Sequence, residues 1–444
     1  MKLSPSPAPL SRRKFLALTA AAVAAPTIIS SRALGRADAP APSNRITLGV
    51  IGCGNQGMNN ANDFLRLKDC QVVAACDVDK KHLQHAVGVV NKHYDNKDCK
   101  AYHNFRELLA RADIDAVMIA TPDHWHGIAA TEAARAKKDI YGEKPLAHTI
   151  AEQQAIVGAV NKNNRIWQTG SWQRSLANFH KAAEIVRNGL IGKVTRVEVG
   201  LPAGNKNSGN EATSMDVSDP PPELDYDTWT GPAQLLPYIQ GRVHRNWRWN
   251  YNTGGGQIMD WIGHHCDIAH WGCDFDSSGP MAVEGHGEFP PKDAVWNTAT
   301  KYRIQLHYPR DITMIIASVD KEEGIRSGTK WIGTDGWVYV QRGVFEASNE
   351  EWRDYRELPD EMRKVKLYQS SNHWQNFLDC VKSRKETITP AHVAHHSAIP
   401  GHLGIISMLV GRKIKWDAGS EKIIGDEEAS KLLTRDFRKP WGLG

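Results

Sequence analysis

Cysteine, excess charge and long apolar runs are all scarce in this chain. Its 444 residues include seven cysteines, and none of them forms a Cys-x-x-Cys pair. An odd, scattered set argues against a disulfide framework and against a zinc ribbon, so the cysteines are predicted to be small buried apolar residues. The 55 basic and 50 acidic residues are interspersed and leave a net charge of +5, which argues against nucleic acid as a partner.

The N-terminus has the pattern of an export signal rather than of a membrane anchor. Arg12 and Arg13 precede a mild apolar run, Ala17 to Ile29, which is too short to cross a bilayer as a stable helix. Small residues follow, and Ala37-Asp38-Ala39 is a candidate cleavage site. The paired arginines resemble a twin-arginine (Tat) signal. We therefore predict a signal peptide over residues 1–39, a linker over 40–44, no stable membrane insertion, and a periplasmic or cell-surface location.

Length and composition predict a soluble protein with two domains. The chain is 41% apolar and 24% charged, as soluble globular proteins are, and it is too long for one ordinary core. The patterns described below place a first domain over residues 45–170 and a second over 171–425. Residues 426–444 are predicted to be a tail that packs on the body.

The first domain begins with a dinucleotide-binding pattern. A charge-free apolar run up to Ile51 reads as a buried parallel strand, and Gly52, Gly54 and Gly57 follow it at the start of a predicted helix. These glycines let the backbone turn tightly and approach a pyrophosphate at the helix N-terminus. A second strand ends at Asp77, whose carboxylate would accept hydrogen bonds from the adenosine ribose. An acid there repels a 2′-phosphate, so NAD is favoured over NADP.

The strand–helix alternation then continues. Residues 116–120 form a predicted buried strand that ends in the polar run Thr121 to His126. A helix over 127–136 and a short strand over 139–141 lead to Gly142-Glu143-Lys144-Pro145. In open α/β sheets, polar residues at the carboxyl ends of strands are where ligands bind.

These motifs together resemble the glucose–fructose oxidoreductase / inositol dehydrogenase / rhizopine catabolism (Gfo/Idh/MocA) family. The resemblance rests on the glycine motif, on Thr121-Pro122 with His126, and above all on Glu143-Lys144-Pro145. It implies an NAD(H) cofactor and a lysine, Lys144, that faces both the nicotinamide and the substrate hydroxyl. The cofactor-binding residues expected on this basis are Gly52, Gly54, Asn55, Gln56, Gly57, Asp77, Thr121, Pro122, His126, Glu143 and Lys144.

The second domain is predicted to contain an open, mostly antiparallel sheet. Segments with alternating polar and apolar residues occur at 194–199, 300–307, 311–318, 330–333 and 337–341. The fold class is therefore α/β, with an N-terminal Rossmann parallel sheet followed by a C-terminal α+β domain. Residues 205–222 are rich in Gly, Asn, Ser and Pro and are expected to form a long surface loop, a candidate lid.

A glycine-rich helix start carries the candidate catalytic residues of this domain. After Gly254-Gly255-Gly256, Asp260 and His264 stand four residues apart, so they project from one face of a helix. A carboxylate beside an imidazole suits proton abstraction near neutral pH, although a helix-packing histidine fits the pattern equally well. The family has the same motif. The resemblance implies that His264 is the general base, that Asp260 positions the substrate or tunes His264, and that Lys144 polarises the oxygen.

Three further groups have open interpretations. A metal site from His264, His265, Asp267 and His270 is a minor alternative, because their spacings do not put three of them on one face, and no metal is predicted. The segment 242–249 could line a sugar-binding wall or a subunit contact. No role is assigned to the histidine cluster, which consists of His392, His395 and His396.

The predicted function is hydride transfer between NAD and a secondary hydroxyl of a sugar, glycoside or polyol. Export implies a tightly held cofactor, because no free NAD pool exists outside the cytoplasm to replace it. Two alternatives stay open: glycoside cleavage through a transient ketone, as in some relatives, and a non-catalytic sugar- or NAD-binding protein. Family members are commonly oligomers, so a homo-oligomer is expected.

Overall fold

The computed structural model describes residues 44–204 and 214–444. The predicted signal peptide, residues 40–43 of the predicted linker, and residues 205–213 of the predicted loop lie outside the described residues. Residues 46–444 form one compact unit. Across the described ranges, no helix is both long enough and apolar enough to cross a membrane.

The N-terminal part forms a six-stranded sheet in the order β3-β2-β1-β4-β5-β6, and all of its strand pairs are parallel. Its strands are β1 (Ile46–Ile51), β2 (Cys70–Cys76), β3 (Lys100–Tyr102), β4 (Ala116–Ile119), β5 (Asp139–Gly142) and β6 (Trp167–Thr169). The intervening helices are α1 (Asn55–Leu65), α2 (Lys80–Tyr94), α3 (Phe105–Leu109), α4 (Asp123–Arg135) and α5 (Ile150–Lys162). The order reverses between β1 and β4, where open sheets bind ligands. The predicted Rossmann sheet is confirmed.

The C-terminal part forms a nine-stranded sheet in the order β13-β12-β11-β7-β10-β9-β8-β14-β15. Its strands are β7 (Val194–Leu201), β8 (Ala282–Glu288), β9 (Lys301–Tyr308), β10 (Ile312–Ser318), β11 (Gly328–Gly333), β12 (Trp337–Gln341), β13 (Val344–Ala347), β14 (Ile414–Asp417) and β15 (Lys422–Ile424). All of its pairs are antiparallel except β7 with β10. A mostly antiparallel sheet is thus confirmed.

Helices of the second half of the chain pack either on this sheet or against the first half. They are α6 (Ala177–Arg187), α7 (Tyr226–Thr230), α8 (Gly256–Cys273), α9 (His373–Ser383), α10 (Ala391–Val410) and α11 (Glu427–Lys431). The main core joins α8 and α10 to the large sheet. By contrast, Phe377 and Leu378 of α9 pack in the core of the first sheet with Phe64 and Tyr141. The two halves therefore share hydrophobic core.

One predicted boundary is wrong in a way that affects the site. The helix expected over 127–136 begins at Asp123, directly after Pro122, whose backbone is extended. Proline fixes its own φ and has no N–H to donate, so it fits well just before the first turn. Asp123, His124 and His126 thus lie on the helix and not in a loop at the strand end.

Candidate active site

A single cleft of about 1120 Å³ brings together the two ends of the predicted site. Its walls come from the carboxyl ends of β1, β2, β4 and β5, from α8, from the segment 225–249 and from the turn between β12 and β13. Lys144 reaches it from the loop after β5, and Asp260 and His264 reach it from α8.

The glycine motif forms a cradle that a side chain would fill. Gly52 has a φ of +89°, and a Cβ on Gly57 would lie 1.9 Å from the carbonyl oxygen of Gly52. Gly57 therefore does not line the cleft but lets α1 approach β1, while Gly52 and Gly54 do line it. Asp77 accepts hydrogen bonds from the N–H groups of Cys53 (2.7 Å) and Asp79 (2.8 Å) and faces the same space. These residues fit a pyrophosphate and a ribose.

The second half of the chain covers this adenosine end of the cleft. Lys81 pairs with Glu223, and His103 lies 2.8 Å from a carboxylate oxygen of Asp225. His244, which has a φ of +50°, packs edge-on against His82 at 4.9 Å between ring centroids. Together with Asp79, these two histidines are the one group among the described residues whose geometry could hold a metal ion, a group that the sequence did not indicate.

The residues between the cradle and Lys144 are held by buried hydrogen bonds. One carboxylate oxygen of Glu143 accepts from Gln56 (3.0 Å) and Asn60 (2.8 Å). Thr121 and Pro122 line the cleft, and the Thr121 hydroxyl is buried without a protein partner among the described residues.

His126, predicted to bind the cofactor, does not line the cleft in this structure. Its ring nitrogens lie 2.8 Å and 2.9 Å from the carbonyl oxygens of Pro145 and Thr121. It lies on α4 because that helix starts early. Its contacts fix the backbone on either side of the site.

Lys144 and Asp260 form the centre of the substrate end. Lys144 Nζ donates to the carbonyl oxygen (2.8 Å) and to a carboxylate oxygen (3.0 Å) of Asp260, and Arg248 donates to the same carboxylate oxygen at 3.2 Å. Burial favours the neutral carboxyl, but the charges of Lys144 and Arg248 outweigh it and lower the pKa of Asp260 below its ordinary value. Asp260 is therefore ionised and holds the two cations in place.

His264 lies one turn further along α8 and is poised as a neutral imidazole. Burial, with the nearby charges of Lys144 and Arg342, lowers its pKa well below the ordinary histidine value. Its Nδ1 atom is buried without a protein partner among the described residues. The ring is flanked edge-on by Trp172 and Trp261, at 6.3 Å and 5.5 Å between centroids. A neutral imidazole in this setting can accept a proton.

A glycine lets α8 approach Lys144. A Cβ on Gly263 would lie 2.8 Å from the Cβ of Lys144. Lys144 comes from the first sheet and Asp260 from α8, so this close approach brings the two side chains together.

Two residues that line the substrate end were not predicted to do so. Asp123 is buried, and burial raises the pKa of its carboxyl well above the ordinary value although Lys144 and Arg248 oppose this. The position of Asp123 within the Thr-Pro-x-x-x-His run could have indicated that it lies at the site. Arg342 lies in the turn between β12 and β13, and nothing in the sequence around it indicated a site.

Contacts in the structure place the residues of the open alternatives from the sequence. On α8, Asp267 pairs with Arg174 and His270 bonds the Tyr308 hydroxyl at 2.8 Å, and among the described residues the four α8 side chains do not converge as a group of metal ligands. Of the wall segment, His244, Arg245, Trp247, Arg248 and Trp249 line the cleft, whereas Arg242 bonds the Pro237 carbonyl outside it. The histidine cluster on α10 lies outside the cleft, where His395 pairs with Glu421.

Family models match almost all of the described chain. Residues 46–171 match the model of the oxidoreductase family NAD-binding Rossmann fold, and residues 176–443 match the C-terminal alpha/beta domain of the same Gfo/Idh/MocA oxidoreductase family. The resemblance read from the motifs and the NAD cofactor are thereby confirmed.

Curated relatives share about 30% identity over part of the chain. A glycosyl hydrolase family 109 protein 2 of Shewanella sp. (strain ANA-3) is 30% identical over 171 residues, which are 35% of this chain and 38% of that protein. Myo-inositol 2-dehydrogenase of Thermotoga maritima is 30% identical over 182 residues, 40% of this chain and 47% of the relative. The chain thus spans less than half the length of either relative.

Solved structures with low sequence identity share the fold. The WlbA dehydrogenase from Bordetella pertussis in complex with NADH and UDP-GlcNAcA has a TM-score of 0.61 at 17% identity, covering 84% of this chain and 99% of that one. The aldose-aldose oxidoreductase from Caulobacter crescentus has a TM-score of 0.58 at 18% identity, and the match covers 84% of this chain and 99% of that one.

Proposed function

This chain belongs to the Gfo/Idh/MocA oxidoreductase family, and from that premise we propose that it transfers hydride between NAD and a secondary hydroxyl of a sugar, glycoside or polyol. The observation that carries the proposal is the grouping of Lys144, Asp260 and His264 at one end of the cleft whose other end fits a dinucleotide. A protein that only binds its ligand needs no lysine and neutral imidazole in one pocket.

Each of the three residues has its own role in the oxidation of a hydroxyl. Nicotinamide, when bound, accepts the hydride. Lys144 donates a hydrogen bond to the substrate oxygen and stabilises the negative charge that develops on it. His264, kept neutral by burial and by nearby cations, takes the hydroxyl proton. Asp260 stays ionised and holds Lys144 and Arg248 in position.

The roles can be tested by replacing the proton-handling groups while the cleft keeps its shape. We expect Lys144→Met and His264→Asn to lower turnover by about 10²–10⁴-fold, with bound nucleotide unchanged. The measurements are the rate of nicotinamide reduction across a sugar panel and the nucleotide content by mass spectrometry. His286→Asn is the matched control, because His286 is exposed on β8 and does not line the cleft. Loss of nucleotide together with ligand binding in Lys144→Met, with no turnover in the parent protein, would instead favour a binding protein.

A redox-neutral glycosidase is the second candidate, favoured by the similarity to a glycosyl hydrolase family 109 protein. In that chemistry hydride leaves a ring hydroxyl carbon, the resulting ketone acidifies the adjacent C–H, a base removes that proton, and the aglycone departs by elimination. Water then adds, and the hydride returns to the carbonyl carbon. Release of p-nitrophenol from a glycoside in D₂O, with deuterium gained at the adjacent carbon and no net reduced nicotinamide, would establish it. Net accumulation of reduced nicotinamide without cleavage would establish the dehydrogenase.

The proposal includes export with the cofactor held. Arg12, Arg13 and the short apolar run support a Tat signal, which carries folded, loaded proteins. The cover over the adenosine end, through Lys81–Glu223 and His103–Asp225, supports slow release of the nucleotide. A fusion of residues 1–43 to a reporter should be exported, and the Arg12→Lys/Arg13→Lys variant should stay inside. NAD(H) should co-purify with the exported protein.

A homo-oligomer is also part of the proposal, because relatives commonly pack through the open face of the large sheet. Light scattering of the purified protein distinguishes an oligomer from a monomer.

A further inference from the structure

The substrate end of the cleft holds more positive than negative charge. The cationic side chains of Lys144, Arg248 and Arg342 line it. The carboxylate of Asp260 is already shared by Lys144 and Arg248. Burial raises the pKa of the Asp123 carboxyl, which also lines this end, well above its ordinary value. Of these three cations, Arg342 is the one that forms no ion pair with a carboxylate among the described residues.

Arg342 is held in place by neutral groups only. Its guanidinium carbon lies 4.5 Å from the ring centroid of Trp172 and 5.0 Å from that of Trp261, the two indoles that flank His264. Its Nε donates to the side-chain oxygen of Gln173 at 3.0 Å. Among the described residues Arg342 forms no ion pair, and neither of its terminal nitrogens has a hydrogen-bond acceptor.

This arrangement differs from that of Arg326, at the surface of the same sheet. Arg326 also stacks on an aromatic ring, that of Tyr339, but it is neutralised by Glu346 through two hydrogen bonds of 2.7 Å and 2.8 Å. Arg342 has the stacking without the carboxylate. A fixed guanidinium with its two terminal nitrogens free presents the planar fork that matches a carboxylate or a phosphate.

We propose that the substrate is a sugar that carries an anionic group, and that Arg342 binds this group while the reacting hydroxyl lies between Lys144 and His264. The inference rests on the proposed function, since it names the substrate class of the same site. A carboxylate, as in a uronic acid, and a phosphate ester are the two sources of such a group. Either one can accept hydrogen bonds from both terminal nitrogens of the guanidinium.

The test compares sugars that differ only in charge. The nucleotide-loaded protein is titrated with glucose, glucuronate and glucose 6-phosphate, and with galactose and galacturonate, using tryptophan fluorescence as the binding signal and nicotinamide reduction as the activity signal. We expect an anionic member to bind at least about tenfold more tightly than its neutral partner. Arg342→Gln should lower this anionic-to-neutral ratio by about 10–100-fold, and Arg342→Lys should lower it less. Arg326→Gln, the matched control, should leave the ratio unchanged.

The outcomes separate this inference from the proposed function. A preference for the phosphate ester over the uronate supports the inference and names the group. The absence of an Arg342-dependent preference for any anionic sugar overturns it, even if a neutral sugar reduces NAD and the oxidoreductase proposal stands. Arg342-dependent binding of an anion without any hydride transfer or glycoside cleavage supports the inference and contradicts the proposed function.

Discussion

Asp77 directly follows β2 and lines the cleft, where its carboxylate faces the expected position of the adenosine ribose. We predict that Asp77→Asn shifts nucleotide preference toward NADPH by about 10²-fold. The substitution removes a like-charge repulsion of the 2′-phosphate yet keeps an oxygen that can accept the Cys53 N–H. The ratio of the dissociation constants for NADH and NADPH, compared between parent and variant, measures this shift in preference. Asp63→Asn is the control, because Asp63, on α1, pairs with Arg66 just after the helix and does not line the cleft. An unchanged ratio would show that Asp77 does not set the choice.

His264 predicts the pH dependence of the reaction. A general base works only in its deprotonated form, and burial together with the nearby charges of Lys144 and Arg342 lowers the pKa of this imidazole well below its ordinary value. The base therefore stays competent as the pH falls, and kcat/KM for hydroxyl oxidation should show no acid limb near the ordinary histidine pKa of about 6.5. A decline centred there in the pH–rate profile would mean either that the ring is more solvated than this structure places it or that it is not the base.

At the scale of helices and strands, the close contact between α8 and the loop after β5 assembles the site. We predict that Gly263→Ala reduces turnover by about 10–10²-fold, because the new Cβ would lie 2.8 Å from the Lys144 Cβ and push Lys144 from Asp260. Nucleotide content should stay the same, since the cradle is remote from α8. Steady-state kinetics and mass spectrometry measure the two effects.

The control for that substitution is another glycine inside a helix. A Cβ on Gly158, in α5, meets no atom within 4 Å. Gly158→Ala should leave turnover unchanged and stabilise the fold by up to about 1 kcal/mol, because it reduces the freedom of the unfolded chain. Equal turnover in both variants would show that Lys144 tolerates the displacement.

Elements with a repeated pattern were predictable from the sequence, and those fixed by distant contacts were not. The apolar run of β1 and the alternating strands β9 and β10 appear where periodicity places them. The start of α4 was missed because the polar residues at 123–126 are typical of a loop. In the structure these residues are buried and belong to the helix. Arg342 could not be found, since it lies in the turn of the β12–β13 hairpin, which the long-range pairing of β11 with β7 places in the sheet. The roles of Lys144, Asp260 and His264 stay predictions.

At the scale of the whole molecule, a buried ion cluster fixes α8 relative to the first sheet. Arg174, in the turn after β6, is 2% exposed and bonds both carboxylate oxygens of Asp267 at 2.7 Å and 2.9 Å. It also bonds Asp276 just beyond α8, at 2.7 Å and 2.8 Å. Because α8 carries Asp260 and His264 while the first sheet supplies Lys144, this cluster keeps the three proposed catalytic groups in register.

We predict that Arg174→Met destabilises the protein by about 3–5 kcal/mol, because it leaves the Asp267 carboxylate buried without its cation. The midpoint of urea unfolding measures this loss. Turnover should fall as well at temperatures where the variant is still folded, since α8 is then free to shift against Lys144. Arg412→Met is the control, because its ion pairs with Asp426 and Glu428 lie at the surface and its unfolding midpoint should barely move. If Arg174→Met unfolds at a lower urea concentration but the folded variant keeps full turnover, the cluster stabilises the fold without aligning the site, and Gly263 and Asp260 alone set the position of Lys144.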